Sequence, residues 1–247
     1  MLPIRDHNPS GRTPYVTYAL MALNIFIFLS YVPLFNEPAK LNAFFYEWAM
    51  VPAIVSQEGQ YYSIFSSMFL HGGWMHLAGN MLFLWIFGDN IEEEMGHVGY
   101  LLFYLASGVA AAVAHLVSAP FSGVPTVGAS GAIAGVMGAY LLLYPKARVD
   151  ILFFIVIIIR IFTIPAWILL SLWFLLQIFA GAGADPNGGG VAYWAHAGGF
   201  VAGVLFALPV FLRLGGTEYW ARTEGHPPHP ETQYKYVRSS IPKVRRR

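Results

Sequence analysis

The one conspicuous reactive group in Val127-Gly128-Ala129-Ser130-Gly131-Ala132-Ile133-Ala134-Gly135-Val136-Met137-Gly138-Ala139-Tyr140 is the hydroxyl of Ser130, with Gly128 and Gly131 on either side. At a helix start, glycine lets the preceding backbone bend so that free N–H groups point at a developing anion, an arrangement that suits a serine nucleophile. The competing reason is packing. Gly131, Ala134, Gly135 and Gly138 recur three and four apart, which lets membrane helices approach closely. Two further stretches carry polar groups that can decide between these readings. In His71-Gly72-Gly73-Trp74-Met75-His76-Leu77-Ala78-Gly79-Asn80, His76 and Asn80 are four apart and share one helix face. In Trp194-Ala195-His196-Ala197-Gly198-Gly199-Phe200-Val201-Ala202-Gly203, His196 precedes the small pair Gly199 and Gly203. Such polar side chains inside apolar segments are costly without partners, and by default they mark a functional site.

The elements that must position these groups are membrane spans. Hydrophobic residues make up 57% of the chain and charged residues 11%, against roughly a quarter charged in a soluble domain. Apolar runs of about the 20 residues that cross the hydrocarbon layer fall at about 14 to 33, 74 to 91, 98 to 118, 128 to 144 and 191 to 212. The first is of spanning length, so it is expected to remain as a helix and not to be removed as a signal peptide. A composite run from Ile151 to Ala180 is broken by Arg160 and Pro165; it is read as an interfacial or re-entrant connection over 151 to 164 followed by the fifth span. Six spans place both termini on one side, and all but Lys40 of the 14 Lys and Arg residues then lie on that side, which the distribution of basic residues makes cytoplasmic. The expected fold is an all-α polytopic bundle, N-in and C-in. Its domains are a cytoplasmic segment 1–13, a six-span domain 14–212 and a basic, proline-containing tail 213–247, disordered and drawn to anionic lipid.

The connections add smaller expectations. Residues 34 to 70 form an aromatic external loop at the interface. Asp89 and Glu92 to Glu94 read as a solvated cytoplasmic turn, Ser107 and Gly108 as packing residues, and His115 as an interfacial one. Asp185, in the glycine-rich loop after Trp167, Trp173 and Gln177 of the fifth span, is a candidate third triad member but reads better as a solvated loop acid. The loop 119 to 127 can dip inward where it lines a cavity. The fourth helix is short, so Ser130 is expected to start it below the outer membrane surface.

The second, fourth and sixth spans all run from outside to inside, and each holds its polar residues near its outer end. If the three are neighbours, Ser130 can meet one of the histidines as general base, while donors from the second span and the Ser130 N–H face the oxygen of a tetrahedral intermediate. That is acyl-transfer chemistry without the acid of a triad. Packing through the glycine face of the sixth span can orient a histidine in place of the acid.

Gly128-Ala129-Ser130-Gly131, His71 with His76 and Asn80, and Ala195-His196 with Gly199 and Gly203 resemble the motifs of the rhomboid intramembrane serine proteases, in the same order and on the corresponding spans. The resemblance covers about residues 14 to 212. It implies a Ser130–His196 dyad, an oxyanion site from His76, Asn80 and the Ser130 backbone N–H, and a supporting role for His71, Gly128, Gly131, Gly199 and Gly203. It also implies cleavage of single-span membrane proteins within or next to their membrane segments, in the bilayer, without metal, cofactor or nucleic acid. The expected location is a prokaryotic cell membrane, with the site open to the extracytoplasmic side. Two departures bear on its support: Tyr62-Ser63 stands where many members have Trp-Arg, and Ala134 where some have a tyrosine packed on the histidine. Rival readings are a metal or haem protein using His71, His76, His115 and His196, which the absence of Cys and of a His-Glu-x-x-His pattern disfavours, and a transporter or noncatalytic rhomboid-like scaffold.

Overall fold

The structure, a computed structural model, describes residues 2–155, 158–185, 187–228, 230–232 and 234. Strand β1 (Leu2–Asp6) precedes α1 (Tyr15–Tyr31). A 3₁₀ turn leads into the short helices α2 (Pro38–Trp48), α3 (Pro52–Glu58) and α4 (Ser63–Ser66). Helices α5 (Trp74–Ser118) and α6 (Ser130–Leu143) follow, then strands β2 (Arg148–Ile155) and β3 (Ile158–Pro165), and finally α7 (Ala166–Ala182), α8 (Tyr193–Arg213) and α9 (Thr217–Thr223). Within α5, Gly96 leaves helical geometry at φ 69° and ψ 163°, a left-handed position that glycine adopts without strain, and divides the 45 residues into two halves. Residues Tyr15–Asn36, α5 and α8 are long and apolar enough to cross a membrane; α6 and α7 are shorter apolar helices.

Helix α6 is the centre of the molecule. Every residue from Gly131 to Tyr140 is buried, as expected of a helix that is apolar all round. It packs against α5 and α8, and the contact with α8 is nearly backbone on backbone. A Cβ on Gly199 or Gly203 would overlap the carbonyl oxygen of Gly131 or Gly135, and one on Gly138 would overlap that of Phe200. Lying about 100° round the helix from Gly199, Gly198 is expected from the sequence to be the more tolerant of the two. The structure corrects this: a Cβ there would run into the Ala114 methyl on the second half of α5, so α8 is wedged between two partners. Away from these seams the helices expose Phe26, Leu29, Trp85, Leu102, Leu176, Phe179 and Leu205, an apolar exterior suited to lipid.

The pole that carries the N-terminal strand departs from an all-α bundle. The segment expected to form an interfacial or re-entrant connection is an antiparallel hairpin, with Arg148 opposite Pro165 and Ile155 opposite Ile158. On its other edge β2 pairs with β1, Leu2 opposite Leu152 and Asp6 opposite Val149, which gives a sheet of order β1-β2-β3. A continuous apolar run has no period to distinguish a buried strand from a helix or an interfacial segment, and its density of Ile and Val favours the strand. The partner strand also lies more than a hundred residues away. Asp150 anchors the pairing, accepting from Arg5 Nε at 2.8 Å and from the Thr163 hydroxyl at 2.5 Å, and lying 2.9 Å from His7 Nε2. Burial pushes its carboxyl upward, but bonds from Thr163, His7 and Arg5 outweigh that and hold it below the usual carboxylate range.

Two further expectations are corrected here. Glu92 is 2% exposed and does not lie in a solvated turn: its carboxylate accepts the N–H groups of Val16 and Thr17 at 2.8 Å and the Thr17 hydroxyl at 2.7 Å, capping the start of α1. Part of the expected disordered tail is folded, since α9 buries Tyr219 against Phe211, and Thr232 N–H donates to the His7 carbonyl at 3.0 Å. The basic residues from Lys235 onward lie outside the described residues.

Candidate active site

Ser130 is the first residue of α6, where the N–H groups of the opening turn have no partner within the helix. The approach to it is fixed from outside the helix. Thr126 pairs with Met50 through both backbone bonds, and Gly128 N–H donates to the Ser67 carbonyl at 2.9 Å. Gly128 has φ 134°, and a Cβ there would sit 2.8 Å from His76 Nε2. The glycine is therefore required twice, by backbone conformation and by the ring beside it.

The groups singled out from the sequence converge. His196 Nε2 lies 2.8 Å from Ser130 Oγ. Its Nδ1 lies 2.9 Å from Gln177 Oε1 on α7. The Trp173 ring, one turn before Gln177, lies over the imidazole with centroids 5.7 Å apart and planes at 31°. His76 receives the Gly72 N–H on Nδ1 at 3.3 Å, which leaves its Nε2 to carry the proton on the side of Gly128. One turn along α5, Asn80 has a buried side-chain nitrogen with no hydrogen-bond partner among the described residues. His71 is fully buried with its ring 5.1 Å from that of His76, and its backbone N–H and carbonyl both bond the Tyr31 hydroxyl, at 2.6 and 2.8 Å. It braces the start of α5 without facing Ser130.

His76, Asn80, Ser130 and His196 border one cavity of about 640 Å³, whose remaining wall includes Phe83, Ile133, Met137, Trp173 and Trp194. The surroundings are thus apolar, with one hydroxyl, two imidazoles and one amide set into them. His115, assigned to the interface, also borders this cavity and bonds Thr126 through Nε2 at 3.0 Å. Asp185 is exposed at the rim and accepts the Asn187 N–H at 2.9 Å. The partner of His196 Nδ1 is Gln177, and the ring that covers the imidazole comes from Trp173, since Ala134 is a buried methyl on α6. Sequence reasoning passed over both residues, although their spacing of four on an apolar helix was the available signal.

The external loop is held without the Trp-Arg pair. The Tyr62 hydroxyl donates to the Glu47 carbonyl at 3.0 Å, Ser63 Oγ donates to Gln60 O at 2.7 Å, and Ser66 Oγ donates to Trp48 O at 2.6 Å.

Comparison with known proteins gives the following. The Rhomboid domain family matches residues 58–213. The mitochondrial Rhomboid protein 1 of Saccharomyces cerevisiae is 32% identical over 151 residues, covering 58% of this chain and 40% of that protein. The Rhomboid protease GluP of Bacillus subtilis is 34% identical over 128 residues, 52% of this chain and 24% of that one. The chloroplastic Rhomboid-like protein 11 of Arabidopsis thaliana is 43% identical over 75 residues, 30% of this chain and 26% of that one. The chain thus spans less than half the length of these relatives. The apolar helices and the relatives together make it an integral membrane protein. Because those relatives include mitochondrial and plant proteins, they lend no support to the expected prokaryotic cell membrane.

Proposed function

The chain belongs to the rhomboid family, and on that premise we propose that it is an intramembrane serine endopeptidase acting through a Ser130–His196 dyad. The observation that carries this reading is the 2.8 Å separation of His196 Nε2 and Ser130 Oγ at the border of an apolar cavity. His196 takes the hydroxyl proton as Ser130 Oγ attacks the scissile carbonyl, and a tetrahedral intermediate forms. Its oxyanion is met by His76 Nε2–H, the Asn80 amide and the Ser130 backbone N–H. His196 then gives its proton to the leaving amine, and water activated by the same ring releases the acyl group from Ser130. No cofactor takes part.

The site's depth suits this reading. At 1.5 Å per residue the 14 residues of α6 cover about 21 Å of a hydrocarbon layer of roughly 30 Å, so its two ends cannot reach both surfaces. In the proposed topology α1, the two halves of α5, α6, α7 and α8 are the six spans of a domain over 14–212, N-in and C-in. The mouth of the cavity then faces the extracytoplasmic side, and the substrates are single-span membrane proteins cut within or next to their membrane segments.

The test is reaction of the purified protein in detergent with a fluorophosphonate probe. Labelling of the wild type and none of Ser130→Ala supports the dyad. Absence of labelling in a folded wild type identifies a noncatalytic rhomboid-like scaffold or transporter.

A further inference from the structure

Resting on the reading of Ser130 and His196 as a catalytic pair, we propose that Gln177 is its positioning residue, selecting through its side-chain amide the His196 tautomer that can accept the Ser130 proton. An imidazole acts as base at Nε2 only if its proton resides on Nδ1, and a triad carboxylate ordinarily secures this. Here Nδ1 lies 2.9 Å from Gln177 Oε1.

The amide's orientation follows from its other end. Gln177 Nε2 lies 3.2 Å from the Trp173 carbonyl oxygen, which can only accept. A flipped amide would set two acceptor oxygens against each other there and would offer an NH₂ group to Nδ1. That would drive the histidine proton to Nε2, where it opposes the serine hydroxyl. One orientation satisfies every group: Gln177 donates to Trp173 O, His196 Nδ1–H donates to Gln177 Oε1, and Ser130 O–H donates to His196 Nε2. The hydrogen bonds then run in a single direction from serine to the α7 backbone.

Placement points the same way. Helix α7 exposes Leu172, Leu175, Leu176 and Phe179, whereas Gln177 is 8% exposed and turned inward. A buried amide in such a helix needs a partner that justifies its desolvation. Trp173, one turn earlier, covers the imidazole from the same face of α7, so a single helix face both orients and shields the base. Being neutral, the amide fixes the tautomer without the charge that would favour imidazolium. The other titratable groups bordering the cavity are His76, His115, Asp185 and Tyr193.

The experiment measures fluorophosphonate labelling of the full chain against probe concentration and pH, for wild type, Gln177→Leu, Gln177→Glu and Ser130→Ala. Gln177→Leu should lower the maximal labelling rate on the order of 10- to 100-fold, part of the roughly 10²- to 10⁴-fold that a positioned general base contributes, with the half-saturating probe concentration unchanged. Gln177→Glu should label well at alkaline pH but with its acid limb moved upward, because a carboxylate on Nδ1 favours imidazolium. A wild-type rate in Gln177→Leu overturns the proposal. So does a Gln177→Glu profile that keeps the wild-type acid limb, and this measurement decides alone if Gln177→Leu does not fold. Labelling that persists in Ser130→Ala sinks the dyad itself; its loss there beside a wild-type Gln177→Leu sinks only the role of Gln177.

Discussion

The carbonyl oxygen of Gly131 occupies the space that a Cβ on Gly199 would need, so the turn of α6 that begins at Ser130 and the turn of α8 that follows His196 are in backbone contact. Nothing flexible stands between the two helices at this point, and a displacement of either is transmitted to the distance between the serine and the imidazole.

Gly199→Val should therefore abolish the proposed proteolysis, since a shift of about 1 Å in a catalytic group can cost roughly 100-fold in rate. Gly198 meets a side chain in place of a backbone, the Ala114 methyl. Gly198→Ala should lose activity and regain most of it when combined with Ala114→Gly. Gly199→Ala should not be rescued by any side-chain deletion on α6. Cleavage and thermal unfolding of the four variants in detergent check the difference; full activity in Gly199→Val would mean that the seam does not hold the site.

Ser130→Ala and His196→Ala should each reduce cleavage to background, with the double variant hardly worse than either, because nucleophile and base act as a unit. Single-turnover rates on a membrane-anchored reporter measure this, and multiplicative losses would mean the two side chains work independently.

Asn80→Ala or His76→Phe should lower kcat by about 10- to 1000-fold, the order expected for loss of one oxyanion donor, while Ser130 remains labelled, more slowly, by fluorophosphonate. Rates equal to wild type in both would reduce these residues to packing.

The fourth prediction concerns the pole that carries β1. Asp6 is pushed up to about 8 by burial, partly offset by the Tyr140 hydroxyl that donates to it at 2.6 Å. A carboxyl raised from its ordinary value of 3.8 binds a proton more tightly in the folded state, so its contribution to stability is complete below that value and is lost as pH rises through about 8. The Tm of the wild type should fall as pH is raised across that range, and Asp6→Asn should remove much of the fall. An unchanged slope in the variant would place the titration elsewhere.

What the sequence disclosed was whatever local pattern encodes. Runs of spanning length marked the apolar helices, and polar residues near the ends of those helices marked His76, Asn80, Ser130 and His196, which the fold brings to one cavity. Gln177 was visible as a polar residue on α7 but had no partner in view, because its bond to His196 depends on how α7 leans on α8. Glu92 illustrates a related gap: a charge beside other charges reads as solvated, and only the approach of α1 makes it a buried cap. The β2–β3 hairpin was missed because its apolar run lacks a distinguishing period and its third strand lies at the far end of the chain.

The pairing of β1 with β2 also sets an order of events during biosynthesis. Residues 2–6 leave the ribosome long before 148–155, with α1, α5 and α6 between them. The early strand must stay unpaired while those helices enter the bilayer, since its partner does not yet exist, and a strand in that condition can pair wrongly. Closing the sheet is a long-range contact of the kind that forms slowly. It joins residues 2–6 to the segment after α6, so it can be completed only after α6 has been synthesised.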